Sequence, residues 1–215
     1  GSDRSGGLPA PLPSAAQTTV GASATLDAGN GGRATVWSDE ATTFLGRIVT
    51  GGDRAGFAEV SGRHLLDFRP LTSFDLGRGG NLLLDPDALF IGASDPGNAN
   101  SFVNVNTLAT QLASSDVTLA TSTDGGDITL GSALAWNSGN TLRLNSGSNI
   151  NLNASVTAAS GGLSLYAGKA SPGDPQHDVN PIFARSQQVA GYTIHVGTLT
   201  VGQNTAANVA CATPN

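Results

Sequence analysis

Apolar and polar residues alternate with period two in short runs along most of this chain, and in one stretch the alternation repeats. Residues 126–147 read GDITLGSALAWNSGNTLRLNSG, and residues 148–168 read SNINLNASVTAASGGLSLYAG. Ile128, Leu130 and Leu134 recur as Ile150, Leu152 and Val156, a shift of 22; Leu142 and Leu144 recur as Leu163 and Leu165, a shift of 21. Period two puts the aliphatic residues of each run on one face and Thr129, Arg143, Asn151 and Ser164 on the other. A near-constant period of this size built from short strands marks a chain that winds in coils and stacks each coil on the last.

Further short runs bounded by Gly, Asp or Asn predict strands at Ala24–Asp27, Ala34–Ser38, Thr43–Val49, Ala55–Val60, His64–Phe68, Ser73–Leu76, Asn81–Leu84 and Leu89–Ile91. Beyond them the same signals mark Val117–Ala120, Asp127–Leu130, Ala133–Trp136, Thr141–Leu144, Asn149–Leu152, Ser155–Thr157 and Gly162–Tyr166. The segment 101–114, SFVNVNTLATQLAS, differs: Leu108, Leu112 and Val105 fall at helical spacing and glycine is missing. It predicts a short helix of about two turns, capped by Asn106 or Thr107, lying across a face or plugging a groove. Residues 169–190 contain three prolines and predict a long excursion loop, after which Gly191–Val201 returns to strand alternation. The expected organisation is a Pro/Ala-rich extended or disordered lead at 1–19, a single β domain at 20–202 and a frayed tail at 203–215.

Shifting by one coil brings like residues above like, with Ile128 next to Ile150 and Leu142 next to Leu163. The expected fold is therefore all-β: a right-handed parallel β-helix with aliphatic ladders inside and Ser, Thr and Asn ladders outside. Some 180 residues at about 22 per coil would make roughly eight coils and about 40 Å of height. The rival is an antiparallel sandwich or barrel, which is also built of short strands but does not call for a repeat of this length.

Composition sharpens the picture. Charged residues make up 12% of the 215, about half the usual share, so the chain lacks the charge that drives ordinary disorder. The net charge is −6 and the Lys and Arg residues are scattered, so a phosphate-binding footprint is missing and nucleic acid is not an expected partner. No run of 18 apolar residues occurs, so membrane insertion is not expected, and GSDRSGGLPAPLP lacks the make-up of a signal peptide. Gly1-Ser2 resembles a tag remnant, and the chain reads as a piece of something longer. The one cysteine, Cys211, cannot form an internal disulfide; it is either an inert thiol or a half-cystine whose partner lies elsewhere.

Candidate chemistry is thin. Asp39-Glu40 and Asp85-Pro86-Asp87 are the nearest acid pairs, with Arg47 and Arg54 as available but unaccompanied bases. Adjacent residues on a regular strand face opposite ways, so Asp39 and Glu40 cannot serve one substrate there, and turn carboxylates explain both clusters. Asp174, His177 and Asp178 share one loop and are the candidate metal ligands, two carboxylates and an imidazole being a suitable set for a divalent ion; a solvated polar loop is the plainer explanation. STDGGD at 122–127 is a single fragment of a calcium-repeat pattern. The chain has no G-x-S-x-G elbow, and AGNGG and GRGG are turns without the G-K-S/T that a phosphate cradle needs. Neither a catalytic residue nor a cofactor is expected. Trp37, Trp136, Tyr166 and Tyr192 offer aromatic faces for sugar rings if exposed. Trp136 shares the face of Leu134 and is expected inside. Trp37 alternates with Val36, so one of the two faces out; Trp37 is the candidate ligand contact.

Three ordered segments add a resemblance. Gly31–Asp39 (GGRATVWSD), Gly56–Gly62 (GFAEVSG) and Leu82–Pro86 (LLLDP) resemble, in order and spacing, the passenger region of filamentous-haemagglutinin-type exoproteins. These are large adhesins of Gram-negative bacteria exported by two-partner secretion. The likeness runs over roughly residues 20–168. It implies a right-handed parallel β-helix, secretion to the outer cell surface, export of the full-length protein through an outer-membrane transporter, and attachment to a host-cell receptor or glycan. The family's secretion domain with its Asn-Pro-Asn motifs is not found here; Asn180-Pro181 is embedded in VNPIF and does not replace it. The resemblance thus implies a shaft or adhesive segment lying downstream of the export signal, without enzymatic activity. The alternatives are a carbohydrate-active β-helix enzyme, a polysaccharide lyase or hydrolase, and a passenger that binds glycan or metal.

Overall fold

A computed structural model describes residues 14–97, 100–121, 126–169 and 193–204. In chain order its elements are β1 (Gln17–Val20), β2 (Thr25–Asp27), β3 (Arg33–Ser38), β4 (Ala41–Phe44), β5 (Arg47–Val49), β6 (Phe57–Gly62), β7 (Leu65–Phe68), β8 (Asn81–Leu84), β9 (Leu89–Gly92), β10 (Ser101–Asn104), α1 (Val105–Leu112), β11 (Asp116–Ala120), β12 (Ile128–Leu130), β13 (Leu134–Ala135), β14 (Thr141–Asn145), β15 (Ile150–Leu152), β16 (Val156–Lys169) and β17 (Ile194–Asn204). Over the described residues the fold is all-β with one short helix. Its strands form a seven-stranded sheet in the order β1-β4-β7-β10-β9-β12-β15, an eight-stranded sheet β13-β16-β14-β11-β8-β6-β3 with β17 on β16, and the small pair β2-β5. Every strand pair among the described residues is parallel, which is at odds with an antiparallel sandwich or barrel.

The register follows the repeat. Ile128 pairs with Ile150, Leu130 with Leu152, Leu134 with Val156, Leu142 with Leu163 and Leu144 with Leu165. In the larger sheet one buried column runs Val60, Leu84, Leu119, Leu144, Leu165, Val201. In the seven-stranded sheet another runs Phe44, Phe68, Val103, Ile91, Leu130, Leu152. Like residues meet because one shift in register carries every inward position onto another inward position. Phe44, Phe68 and Phe74 meet at one level, with ring centroids 5.5–6.1 Å apart and at most 1% exposure.

Several local expectations are corrected. The predicted strand Thr43–Val49 is two strands, because the chain turns between sheets at Gly46, where a Cβ would come within 2.7 Å of the Ala24 carbonyl oxygen. Ser73–Leu76 forms no strand; Asp75 only bridges Val49. The two predicted strands 155–157 and 162–166 are one, β16, which bends through a register shift between Ala158 and Gly162 against β17. Strand β1 begins at Gln17, within the lead expected to be extended or disordered, and β17 ends at Asn204. The 169–190 excursion lies outside the described residues, save that Lys169 ends β16.

The expected short helix of about two turns lies within 101–114. Ser101–Asn104 is strand, and α1 spans Val105–Leu112 with Val105, Leu108, Gln111 and Leu112 buried. Its N-cap is Asn104, not Asn106 or Thr107: Asn104 stays extended at the strand end, and its side chain accepts from the Asn106 amide at 2.8 Å. Asn104→Ala is expected to lower stability by about 1 kcal/mol, measured by urea denaturation. A helix of two turns is marginal alone, and side chains from neighbouring segments hold this one. The Gln111 side chain accepts from the Phe74 amide at 2.8 Å and donates to the Thr72 carbonyl at 3.0 Å. On the other side Asn140 Nδ2 donates to the Leu112 carbonyl at 2.8 Å, and the Ser138 hydroxyl donates to the same oxygen, satisfying a carbonyl that a helix end leaves open.

Asp127 anchors the start of the repeat. Its Oδ1 accepts from the Asn149 amide at 3.0 Å and from Asn149 Nδ2 at 3.1 Å, and its Oδ2 accepts from Asn151 Nδ2 at 3.2 Å. Partial burial opposes its ionisation, but these bonds, with a contribution from Ser148, outweigh burial and hold the carboxyl below its usual range. A depressed folded value means the contribution is present above the ordinary carboxylate pKa and is lost as pH falls through the folded value. Asp127→Ala is therefore expected to cost about 1–2 kcal/mol at neutral pH, the lost bonds being discounted for solvent screening. Urea titrations of both proteins should show that gap narrowing in acid; a gap independent of pH would refute the assignment.

Candidate functional site

The outward column of the seven-stranded sheet sets the surface chemistry. It runs Thr43, Asp67, Phe102, Phe90, Thr129, Asn151. Two aromatic residues thus sit side by side, each half-buried, in a column otherwise made of threonine, asparagine and aspartate. They are neighbours only because β10 lies between β7 and β9, so that the chain, after β9, steps back one place in the sheet.

Beside Phe102 the surface sinks into a recess of about 490 Å³. Leu65 and Phe102 supply its apolar wall, with Leu65 40% exposed; Asp67, Arg69, His64 and Asp95 ring it, and Asn100 closes one side. Asp67 and Arg69 form an ion pair across the strand end. The hydrogen bond and charge of Asp67 raise the Arg69 pKa above its ordinary value, and the charge of Asp95 adds to the effect. His64 Nδ1 lies 2.6 Å from Asp87 Oδ2. Both pairs are partly open to solvent: the side chains of His64 and Arg69 are 61% and 59% exposed. Such pairs orient side chains more than they stabilise the fold.

The expected site residues fall elsewhere. Val36 is inside, so Trp37 is the one that faces out; it is half-buried on β3, at the far end of the other sheet, with Ser61 as its register partner. The Thr18 hydroxyl donates to its carbonyl at 3.1 Å. Trp136 is 4% exposed, as expected of a core residue, and its Nε1 donates to the Asn140 carbonyl at 2.9 Å. Tyr166 lies on the outward face of β16, its ring centroid 5.8 Å from the Arg143 guanidinium carbon. Asp39 and Glu40 are exposed at a bend between β3 and β4, and their amides donate to the carbonyls of Ala15 and Ala16 in the segment before β1. Asp87, of the second acid cluster, is the partner of His64. Asp174, His177, Asp178, Tyr192 and Cys211 lie outside the described residues. Among the described residues, no three His, Cys, Asp or Glu side chains gather as a metal-ligand set.

The recess is not legible in the sequence. Alternation in LLDF, LFIG and SFVN does place Asp67, Phe90 and Phe102 on outward faces. What it does not carry is the order of the strands, which alone sets Phe102 between Asp67 and Phe90.

The result is an all-β protein of parallel sheets with a polar-rimmed aromatic recess on one of them. Compared with known proteins, the chain matches no family model, no curated protein and no solved structure. Among the described residues, no helix is long and apolar enough to cross a membrane.

Proposed function

We propose that this chain is a right-handed parallel β-helix serving as a non-enzymatic shaft or adhesive segment of a filamentous adhesin, secreted or displayed on the outer surface of a bacterium. The full-length protein would pass an outer-membrane transporter, and the segment would meet a host-cell receptor or glycan. The observation that carries the reading is the parallel register of matching aliphatic residues from one repeat to the next, Ile128 on Ile150 and Leu142 on Leu163. Such stacking makes a stiff column whose outer columns are free to vary, which suits a spacer that presents contacts. The three motif segments Gly31–Asp39, Gly56–Gly62 and Leu82–Pro86 support the same reading through the resemblance they carry.

The test is attachment without turnover. Beads coated with the folded chain are expected to adhere to host cells several-fold above beads coated with the heat-denatured chain, while soluble polysaccharides incubated with it keep their length. Cleavage of a polysaccharide, or adhesion no better than the denatured control, would sink the adhesive reading. An experimental structure with a left-handed course would sink the handedness alone.

A further inference from the structure

We propose that the recess beside Phe102 binds one or two rings of a neutral sugar, with a ring face on Phe102 and Leu65 and hydroxyls on Asp67 and Arg69. The proposal deepens the adhesive reading and rests on it in treating the recess as a contact site without chemistry.

Four observations converge. The wall is apolar and partly aromatic, and the C–H face of a pyranose suits an aromatic face. The Asp67–Arg69 pair sets acceptors beside donors, and adjacent sugar hydroxyls both donate and accept, so a diol can bridge the pair. The volume, about 490 Å³, falls within the range of small-ligand sites. The charge selects among sugars: Asp67 and Asp95 line the recess and Asp87 stands behind His64, while Arg69 is already paired. An anionic sugar would meet this excess of carboxylates on a chain of net charge −6. Because the pair is open to water, each contact is weak, and a surface carrying many copies gains strength by multivalency.

The experiment is ligand-observed saturation-transfer NMR on the full chain with lactose, maltose and N-acetylglucosamine as neutral probes and sialyllactose as the anionic one. At least one neutral probe is expected to receive saturation and sialyllactose to receive less. Phe102→Ala is expected to weaken binding about tenfold, and Asp67→Asn to weaken it as well without disturbing the core. Tyr166→Ala, on the other sheet, should leave it unchanged. Circular dichroism and urea midpoints establish that each variant is folded. Binding of none of the neutral probes, stronger binding of sialyllactose, or neutral-sugar binding indifferent to both Phe102→Ala and Asp67→Asn would overturn the proposal. Bead adhesion measured in parallel separates the two claims. Adhesion without sugar binding overturns this site and leaves the adhesive reading standing; sugar binding without adhesion does the reverse.

Discussion

Gln111→Ala is expected to lower stability by about 2–3 kcal/mol, although Gln111 is a polar residue in a helix of only eight residues. The side chain is fully buried, and its amide answers backbone groups that a strand would otherwise pair. It accepts from the Phe74 amide and donates to the Thr72 carbonyl, much as a peptide group does. Truncation leaves the buried Phe74 amide without its partner, while the carbonyl of the exposed Thr72 can turn to water; an unsatisfied buried group costs about 1–3 kcal/mol. Gln111→Met separates this from lost packing: it keeps the length of the side chain and loses both bonds, so it should be nearly as damaging. Urea denaturation followed by circular dichroism reads both variants. A loss below about 1 kcal/mol in Gln111→Ala would mean that the Phe74 amide finds another partner.

Phe68→Ala is expected to cost about 3–5 kcal/mol. Phe68 is 1% exposed and touches two rings, Phe44 at 6.1 Å and Phe74 at 5.8 Å between centroids. Its removal takes away the transfer energy of the ring, leaves a cavity that stiff neighbouring strands cannot close, and breaks both aromatic pairs. Phe68→Leu should lose markedly less, because most of the volume remains. Stacked repeats pass stability mainly to their nearest neighbours. The damage should therefore concentrate near β4, β7 and the Phe74 segment, and hydrogen exchange should quicken there before it does at β14 and β16. Uniform acceleration over the whole chain would contradict that local picture.

Both residues show how far the pattern of the chain reaches. The alternation around Phe44 and Phe68 marks both as inward, and the helical spacing of Leu108 and Leu112 foretells a helix. Phe74 lies in a segment whose alternation suggests a strand, yet it forms none. Its amide bonds to the Gln111 side chain instead, and a pattern of apolar positions holds no information about which group will answer a given backbone donor. Gln111 itself carries no signal, since a glutamine on a helix reads as a solvent-facing residue until its neighbours are known.

The candidate site divides the same way. Trp37 stands out in the sequence for its size, and it does face outward, but it lies on the other sheet from the recess. The recess gathers at His64, Leu65, Asp67, Arg69, Asp95 and Phe102, residues drawn from two strands and the segments that flank them. None of them is unusual in its own stretch of chain.

The repeated alternation at residues 126–168 points to the in-register pairing of Ile128 with Ile150 and Leu142 with Leu163, because that register keeps the aliphatic residues of both copies on the buried face. The pattern of apolar positions also marks Trp136 as core and a helix among the strands near residue 108. Three features emerge only once the chain is folded: β10 steps back between β7 and β9, a glutamine stands in for a strand, and Phe102 shares a recess with the Asp67–Arg69 pair. Local patterning fixes which face a side chain takes, whereas strand order and backbone partners depend on contacts between residues far apart in the chain.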